Sequence, residues 1–232
     1  MSFAPLPTIV PLHACETVSG RYVDVVDPKP EDIVIEDIAW SLSRQVRYAG
    51  HTLGDPYHIA QHACFVEFLL DYATSEDSIG DPLRTSFNGW MNDAVLPIDS
   101  ANRALLLMHA LCHDNTEAYL VDLPSPVKRH PALRDPYKAL ESNLHEVILE
   151  ALGVGRCNAA HNHAIVWADL MALQIEAANL MPSRGRGWAG NLPYFELRFM
   201  SLMPKILNWN AANDQFLQRF RYLKEQLAVG VA

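Results

Sequence analysis

Apolar positions recur with a helical period over most of the chain. From Glu31 onward Ile35, Ile38, Ala39, Leu42 and Val46 repeat every three or four residues, which predicts a helix with its next stop at Gly50. A second helix is predicted over about Tyr57–Tyr72, with Ile59, Ala63, Val66, Leu69 and Leu70 on its apolar side. A third opens near Ala101, is strongly apolar through Leu111 and continues to about Leu120, where Asp122-Leu123-Pro124-Ser125-Pro126 breaks it. A fourth spans about Pro131–Leu152 and ends at Gly153. A fifth runs over about Ala160–Leu180 to the stop Met181-Pro182, and a last one over about Ala211–Leu227. Only Gly20–Val26 alternates with period two, predicting a short strand closed by Asp27-Pro28-Lys29-Pro30.

Two segments carry neither period. Residues 1–20 are an irregular leader, and residues 74–100, with Gly, Pro, Asp and Ser throughout, are an insertion or long loop. Ser183-Arg184-Gly185-Arg186-Gly187 is a basic loop. There is no internal repeat. The expected architecture is all-α: one helical bundle over 21–232, with a short N-terminal strand or hairpin and a C-terminal extension from about 181.

Composition narrows the class further. At 232 residues, half of them apolar, the chain is long enough to bury a core without disulfides or a structural metal. A formal charge of −9 argues against a nucleic-acid polymer as partner, because a polyanion wants a basic face. No apolar run approaches the ~20 residues that span a bilayer, and the start MSFAPLPTIVPLHAC lacks a basic region before its apolar residues, so neither membrane nor signal peptide is expected. Cys15, Cys64, Cys112 and Cys157 are widely spaced without a CxxC pair, which suits a reducing cytoplasm. Apolar Phe216, Phe220 and Leu223, read as exposed on the last helix, allow a homodimer or larger homo-oligomer.

The informative residues are polar ones inside apolar runs. His113-Asp114 closes the run Ala104–Cys112, and burying such a pair is costly without strong partners. Glu117 follows four residues after His113, on the same face if the helix continues. Imidazole with carboxylate suits a divalent transition metal, and a further carboxylate suits proton transfer. His62 in the second helix and Asp169 in the fifth are isolated polar residues of the same kind, although a lone buried His or Asp is more often a satisfied core residue than a ligand. His58 and His62 stand four apart, but Ile59 occupies the place where a zinc protease needs Glu. His109 reads as a core histidine, and His161 and His163 as surface residues. Neither GxxxxGK[ST] nor GxGxxG occurs.

The order His62, His113-Asp114, Asp169 resembles the HD-domain phosphohydrolase superfamily. Two blocks, Asp32–Ala39 through Arg47-Tyr48-Ala49-Gly50-His51 to His62, and His113–Lys128 with its Asp122-Leu123-Pro124-Ser125-Pro126, resemble more narrowly the HD-type 5′-deoxynucleotidases, including prophage-encoded members. The likeness covers roughly residues 20–62 and 100–180. It implies His62, His113, Asp114 and Asp169 as ligands of one divalent ion (Mn, Co, Zn, Ni or Mg), Arg47 at the phosphate, Glu117 as the catalytic carboxylate and Asp122 as a holder of substrate. Tyr48 stands where these enzymes commonly place Trp near the sugar, and Lys128, on the turn after Pro124-Ser125-Pro126, is either a further phosphate contact or an exposed, solvated lysine. The implied reaction is metal-dependent hydrolysis of deoxynucleoside 5′-monophosphates to deoxynucleoside and phosphate, by water that the ion activates. A deoxynucleoside triphosphohydrolase releasing triphosphate, and a catalytically silent HD domain that senses nucleotides, are the alternatives. Alarmone hydrolases and two-metal cyclic-dinucleotide phosphodiesterases fit less well: Ala118 follows Glu117 where the former carry a second acid, and His130, His145, His161 and His163 lack the spacing of the latter.

Overall fold

The computed structural model describes residues 10–92, 100–188 and 193–229. It is an all-α bundle carrying a small N-terminal hairpin. Strand β2 (Tyr22–Asp24) realises the alternation at Gly20–Val26 and pairs antiparallel with β1 (Ala14–Glu16), with Cys15 opposite Val23. β1 falls inside the segment read as an irregular leader; three residues are too short to show a period, and only pairing reveals them. Residues 1–9 of that leader lie outside the described residues.

Helix α1 (Ile35–Leu42) is shorter than its apolar spacing suggested. The chain leaves the helix at Ser43, and Val46 forms an antiparallel bridge with His58 instead. Helix α2 (Ile59–Thr74) is buried almost all round, as expected of a central element, and packs against the helices from Ser100 and Ala159. Between them the expected loop contains a helix, α3 (Pro82–Met91). Asp81 caps it by accepting from the Leu83 amide at 2.7 Å, Pro82 occupies the first turn, and Asn92 ends it in the left-handed conformation. Leu83, Phe87 and Met91 bury one stripe, and Phe87 meets Trp167 edge to face at 5.0 Å. Gly89 and Asn88 mask this period in the sequence. The expected loop at 93–99 lies outside the described residues.

Helix α4 (Ser100–Leu111) stops before His113-Asp114 rather than running to Leu120. Tight turns over Cys112–Thr116 follow, then the single-turn helices α5 (Glu117–Leu120) and α6 (Ser125–Lys128). The long helices α7 (Pro131–Ala151), α8 (Ala159–Leu180) and α9 (Trp209–Val229) match their expected spans within about two residues. Gly153, at φ +59°, is the expected stop after α7.

α9 is part of the bundle and not an appendage: it packs on α1, α2 and α4. Phe216, Phe220 and Leu223, read as exposed, are buried in the core, so they carry no argument for oligomerisation. His161, read as a surface residue, is also buried; its Nδ1 faces the Nδ1 of His109 at 3.3 Å, while His109 Nε2 reaches the Gly155 carbonyl at 3.2 Å. The four cysteines are unpaired, and burial pushes the Cys112 thiol up to about 12. No helix among the described residues is long and apolar enough to cross a membrane.

Candidate metal centre and adjoining cavity

Four chain segments converge on one point between α2, α8 and the turn after α4. His62 sits one turn into α2, fully buried. His113 and Asp114 lie in the turn, where the break in the helix frees both side chains to face the same way. Asp169 and Glu176 stand seven residues apart on α8, hence on one face, about 10 Å apart along its axis.

Arg47 opens a tight turn, Arg47–Gly50, held to the start of α2 by hydrogen bonds from the Arg47 amide to the Tyr57 carbonyl at 2.9 Å and from the Ile59 amide to the Gln45 carbonyl at 3.2 Å. Tyr48 and Ala49 in this turn adopt φ of +57° and +50°. Two successive non-glycine residues in that region are strained, and they persist because surrounding contacts hold them. One such contact is the Tyr48 hydroxyl, which donates to Glu176 Oε2 at 2.8 Å.

The two imidazoles are oriented alike. His62 donates from Nδ1 to Glu176 Oε1 at 2.6 Å, and His113 donates from Nδ1 to the Ala110 carbonyl at 2.7 Å. Each ring therefore presents Nε2 inward, and both Nε2 atoms are buried without a hydrogen-bond partner. Asp114 Oδ2 lies 3.2 Å from His113 Nε2 and 3.6 Å from His62 Nε2. Ligand atoms about 2.1 Å from one ion sit about 3.0 Å apart in an octahedron and about 3.4 Å in a tetrahedron, so these separations match a shared cation. His62, His113 and Asp114 could hold a metal ion. Asp169 Oδ1 reaches His62 Nε2 at 3.2 Å from the more open side, its side chain 42% exposed.

The electrostatics point the same way. Burial works against ionisation of Asp114, yet His113, His62 and Arg47 around it hold its carboxyl well below the usual range. Burial and Arg47 disfavour a charged His62, but Glu176 and Asp169 outweigh them and raise it to about 10 in the metal-free chain. Glu176 is buried too, yet Arg47 and His62 hold it ionised.

Glu176 is the residue that reading the sequence missed. It accepts from His62, from Arg47 Nε at 3.1 Å and from the Tyr48 hydroxyl, so one carboxylate orients an imidazole, a guanidinium and a phenol. A carboxylate behind a metal-facing histidine fixes its tautomer and raises its basicity. The signal was present: an acidic residue within the apolar run of α8, two turns from Asp169.

Glu117 is buried at the start of α5. Its Oε1 accepts from Lys128 Nζ at 2.9 Å, while Oε2 has no partner among the described residues. Burial, helped by nearby Asp114, raises it to about 8. Lys128, expected as a phosphate contact or a solvated lysine, thus binds Glu117 and also Glu141 at 3.4 Å, and it is not among the residues that line the adjoining cavity. A second amide braces the segment: Gln45 donates from Nε2 to the Glu117 carbonyl at 2.8 Å and accepts from the Asp122 amide at 3.3 Å. Val121 between them is held at φ +59°, costly for a β-branched residue.

Beside this cluster opens a cavity of about 650 Å³. Arg47, Tyr48 and Asp122 belong to its wall, as do Trp188, Phe195 and the apolar face of α8 around Ala177. The Tyr48 and Trp188 rings lie 6.0 Å apart. Burial raises the Asp122 carboxyl above its ordinary value. The cavity therefore joins flat apolar walls to a charged end, the form of a site for a ring bearing an anion.

No family model matches the chain. It is similar to the uncharacterized protein YfdR of Escherichia coli (strain K12), 31% identical over 212 residues that cover 90% of this chain and 95% of the relative. It is also similar to the uncharacterized protein RCAP_rcc00048 of Rhodobacter capsulatus, 32% identical over 165 residues, 70% of each chain.

Proposed function

For a chain that belongs to the family of YfdR, itself uncharacterized, and that sets a metal-ligating cluster against an arginine and a cavity, we propose metal-dependent hydrolysis of nucleotide phosphate esters. The observation that carries this reading is the pair of buried, partnerless Nε2 atoms facing Asp114 next to Arg47. In this reading His62, His113, Asp114 and Asp169 hold one divalent ion, and the resemblance to the HD-type 5′-deoxynucleotidases supplies the substrate class, deoxynucleoside 5′-phosphates. Bound there, the ion would lower the pKa of water and polarise a phosphoryl oxygen.

The chain's own groups do the rest. Arg47, held by Glu176 and 3.6 Å from Asp114, turns its guanidinium toward the phosphate oxygens and balances their charge. Tyr48 flanks the sugar, and Asp122, in the wall of the same cavity, anchors substrate. Glu117, buried with a free oxygen, takes or returns the proton: water bonds to phosphorus, the bond from phosphorus to O5′ breaks, and the proton ends on O5′. The products are nucleoside and orthophosphate. Attack at the same phosphorus of a triphosphate would release tripolyphosphate.

Metal-supplemented turnover with Mn²⁺ or Co²⁺ over the common nucleotides, with product identification, tests the reading. Orthophosphate from a deoxynucleoside monophosphate is expected. Bound metal with no turnover of any nucleotide would replace the enzyme with a silent sensing domain.

Metal uptake should depend on pH. With His62 raised to about 10 in the metal-free chain, a proton must leave Nε2 before a cation can bind. Apparent affinity should therefore climb as pH rises from 6 to 9, about tenfold per unit for each proton released. Calorimetry in buffers of different ionisation enthalpy should detect that release. Affinity flat with pH would contradict the assignment of His62.

A further inference from the structure

The cavity carries more positive charge than a single phosphate requires. Besides Arg47, its wall includes Arg129 and Arg184, against one carboxylate, Asp122, in a chain of net charge −9. Arg47 is already matched by Glu176 and Asp114. The side chains of Arg129 and Arg184, both exposed, have no hydrogen-bond or ion-pair partner among the described residues.

The fold places both with some care. Arg184 stands at φ +53° in a run of turns, with its amide on the Met181 carbonyl at 2.9 Å and the Trp188 amide on the Gly185 carbonyl at 3.2 Å. At Gly185, φ +72°, an added Cβ would lie 3.1 Å from the Ala177 Cβ. The loop thus rests directly on α8, and its contact with the helix is what carries Arg184 and Trp188 to the cavity wall. Arg129 ends α6, its amide on the Ser125 carbonyl at 3.0 Å, one residue after the Lys128 that Glu117 holds. Two guanidiniums without a partner among the described residues therefore share an aromatic-walled cavity with the phosphate-facing end of the site. Guanidinium favours phosphate over other anions through its fork of parallel donors.

We infer that the preferred ligand is a nucleotide bearing a second phosphate group, remote from the one at the metal cluster and received by Arg129 and Arg184. Trp188, 6.0 Å from the Tyr48 ring that flanks the sugar, flanks its ring system. This rests on the nucleotide reading of the site and adds to it the identity of the far end. The second group has two chemical sources, a 3′-phosphate or the tail of a 5′-polyphosphate.

Calorimetric titration of the chelator-stripped protein tests this without turnover. The probes are deoxyadenosine 5′-monophosphate, deoxyadenosine 3′,5′-bisphosphate and deoxyadenosine 5′-triphosphate, each with wild type and with Arg129→Ala/Arg184→Ala. One of the two multiply phosphorylated probes should bind about ten- to a hundredfold more tightly than the monophosphate, as charge-assisted hydrogen bonds warrant. Whichever probe gains identifies the source. In the double variant the ratio should fall to about one, and raised salt should shrink it in wild type. Arg129→Lys/Arg184→Lys should retain part of the gain if charge, not packing, is responsible. Equal affinities, absence of binding by every probe, or a gain that survives the double variant would each overturn the inference. If metal-loaded wild type still releases orthophosphate from the monophosphate, the function stands and only the second-phosphate site is lost. If no nucleotide is turned over, the function itself fails.

Discussion

Asp114→Asn should leave a folded protein that no longer retains its divalent ion and no longer turns over nucleotide. The substitution is nearly isosteric, so the turn at Cys112–Thr116 can keep its shape, but it removes the charged oxygen that lies 3.2 and 3.6 Å from the two inward imidazole nitrogens. Loss of a residue behind a ligand typically costs about 10–100-fold in metal affinity, so loss of a charged ligand should exceed that. Metal content after dialysis, phosphate release and far-ultraviolet circular dichroism together give the answer. Undiminished metal in a folded Asp114→Asn protein would remove Asp114 from the cluster, and with it the basis of the proposed chemistry.

Glu176→Ala should be the most damaging single change to stability. Its carboxylate is fully buried and receives donors from His62, Arg47 and Tyr48. Removing one partner of a buried charge pair costs about 3–5 kcal/mol, because the Arg47 guanidinium and the His62 imidazole lose the buried carboxylate that matches them. In a domain of this size that corresponds to a fall in Tm of roughly 6–20 °C. The strained turn at Tyr48 and Ala49 loses one of the contacts that hold it, so damage should concentrate there. Glu176→Gln keeps the shape and one acceptor; it should restore much of the stability while weakening metal affinity about 10–100-fold, since His62 loses its anionic orienting partner. A melting temperature in Glu176→Ala equal to wild type would show that Arg47 and His62 do not depend on this carboxylate.

The two variants separate what a metal site needs from what a fold needs. Asp114 lies against the two inward imidazole nitrogens, whereas Glu176 stands behind His62 and joins α8 to α2 and to the Arg47 turn. A polar core of this kind is costly to bury and is stable only because each group is matched. At this site His62 Nε2, His113 Nε2 and Glu117 Oε2 are among the buried atoms without a hydrogen-bond partner in the described residues, which leaves them free to meet a bound group.

Periodicity was enough for the long helices, because apolar residues three and four apart leave little choice but to bury a stripe. It failed where the signal was short or mixed. β1 has three residues, α3 sets polar Asn88 and Gly89 between the apolar positions Phe87 and Met91 of its stripe, and α4 ends at Leu111 although its apolar and helix-forming residues continue. That last break matters most: it lets His113 and Asp114 face one point, which neighbouring positions on an unbroken helix would do poorly. Burial also could not be read along the chain. Phe216, Phe220 and Leu223 look like an open face until α1, α2 and α4 are packed around them, and His161 looks like a surface residue until His109 meets it.

The candidate ligands His62, His113, Asp114 and Asp169 were legible as polar residues in apolar surroundings, since local hydropathy alone makes such residues conspicuous, whereas Arg47 and the role of Glu117 were legible only through the resemblance of their blocks to a known family. Their convergence was not, nor was the role of Glu176, the capture of Lys128 by Glu117, or the pairing of an aromatic cavity with two unmatched arginines. Apart from the Lys128–Glu117 pair, 11 positions apart, those depend on contacts between residues far apart in the chain, up to the 129 positions between Arg47 and Glu176. A linear pattern records which faces must be buried, whereas the pairing of helices that buries them decides which side chains meet.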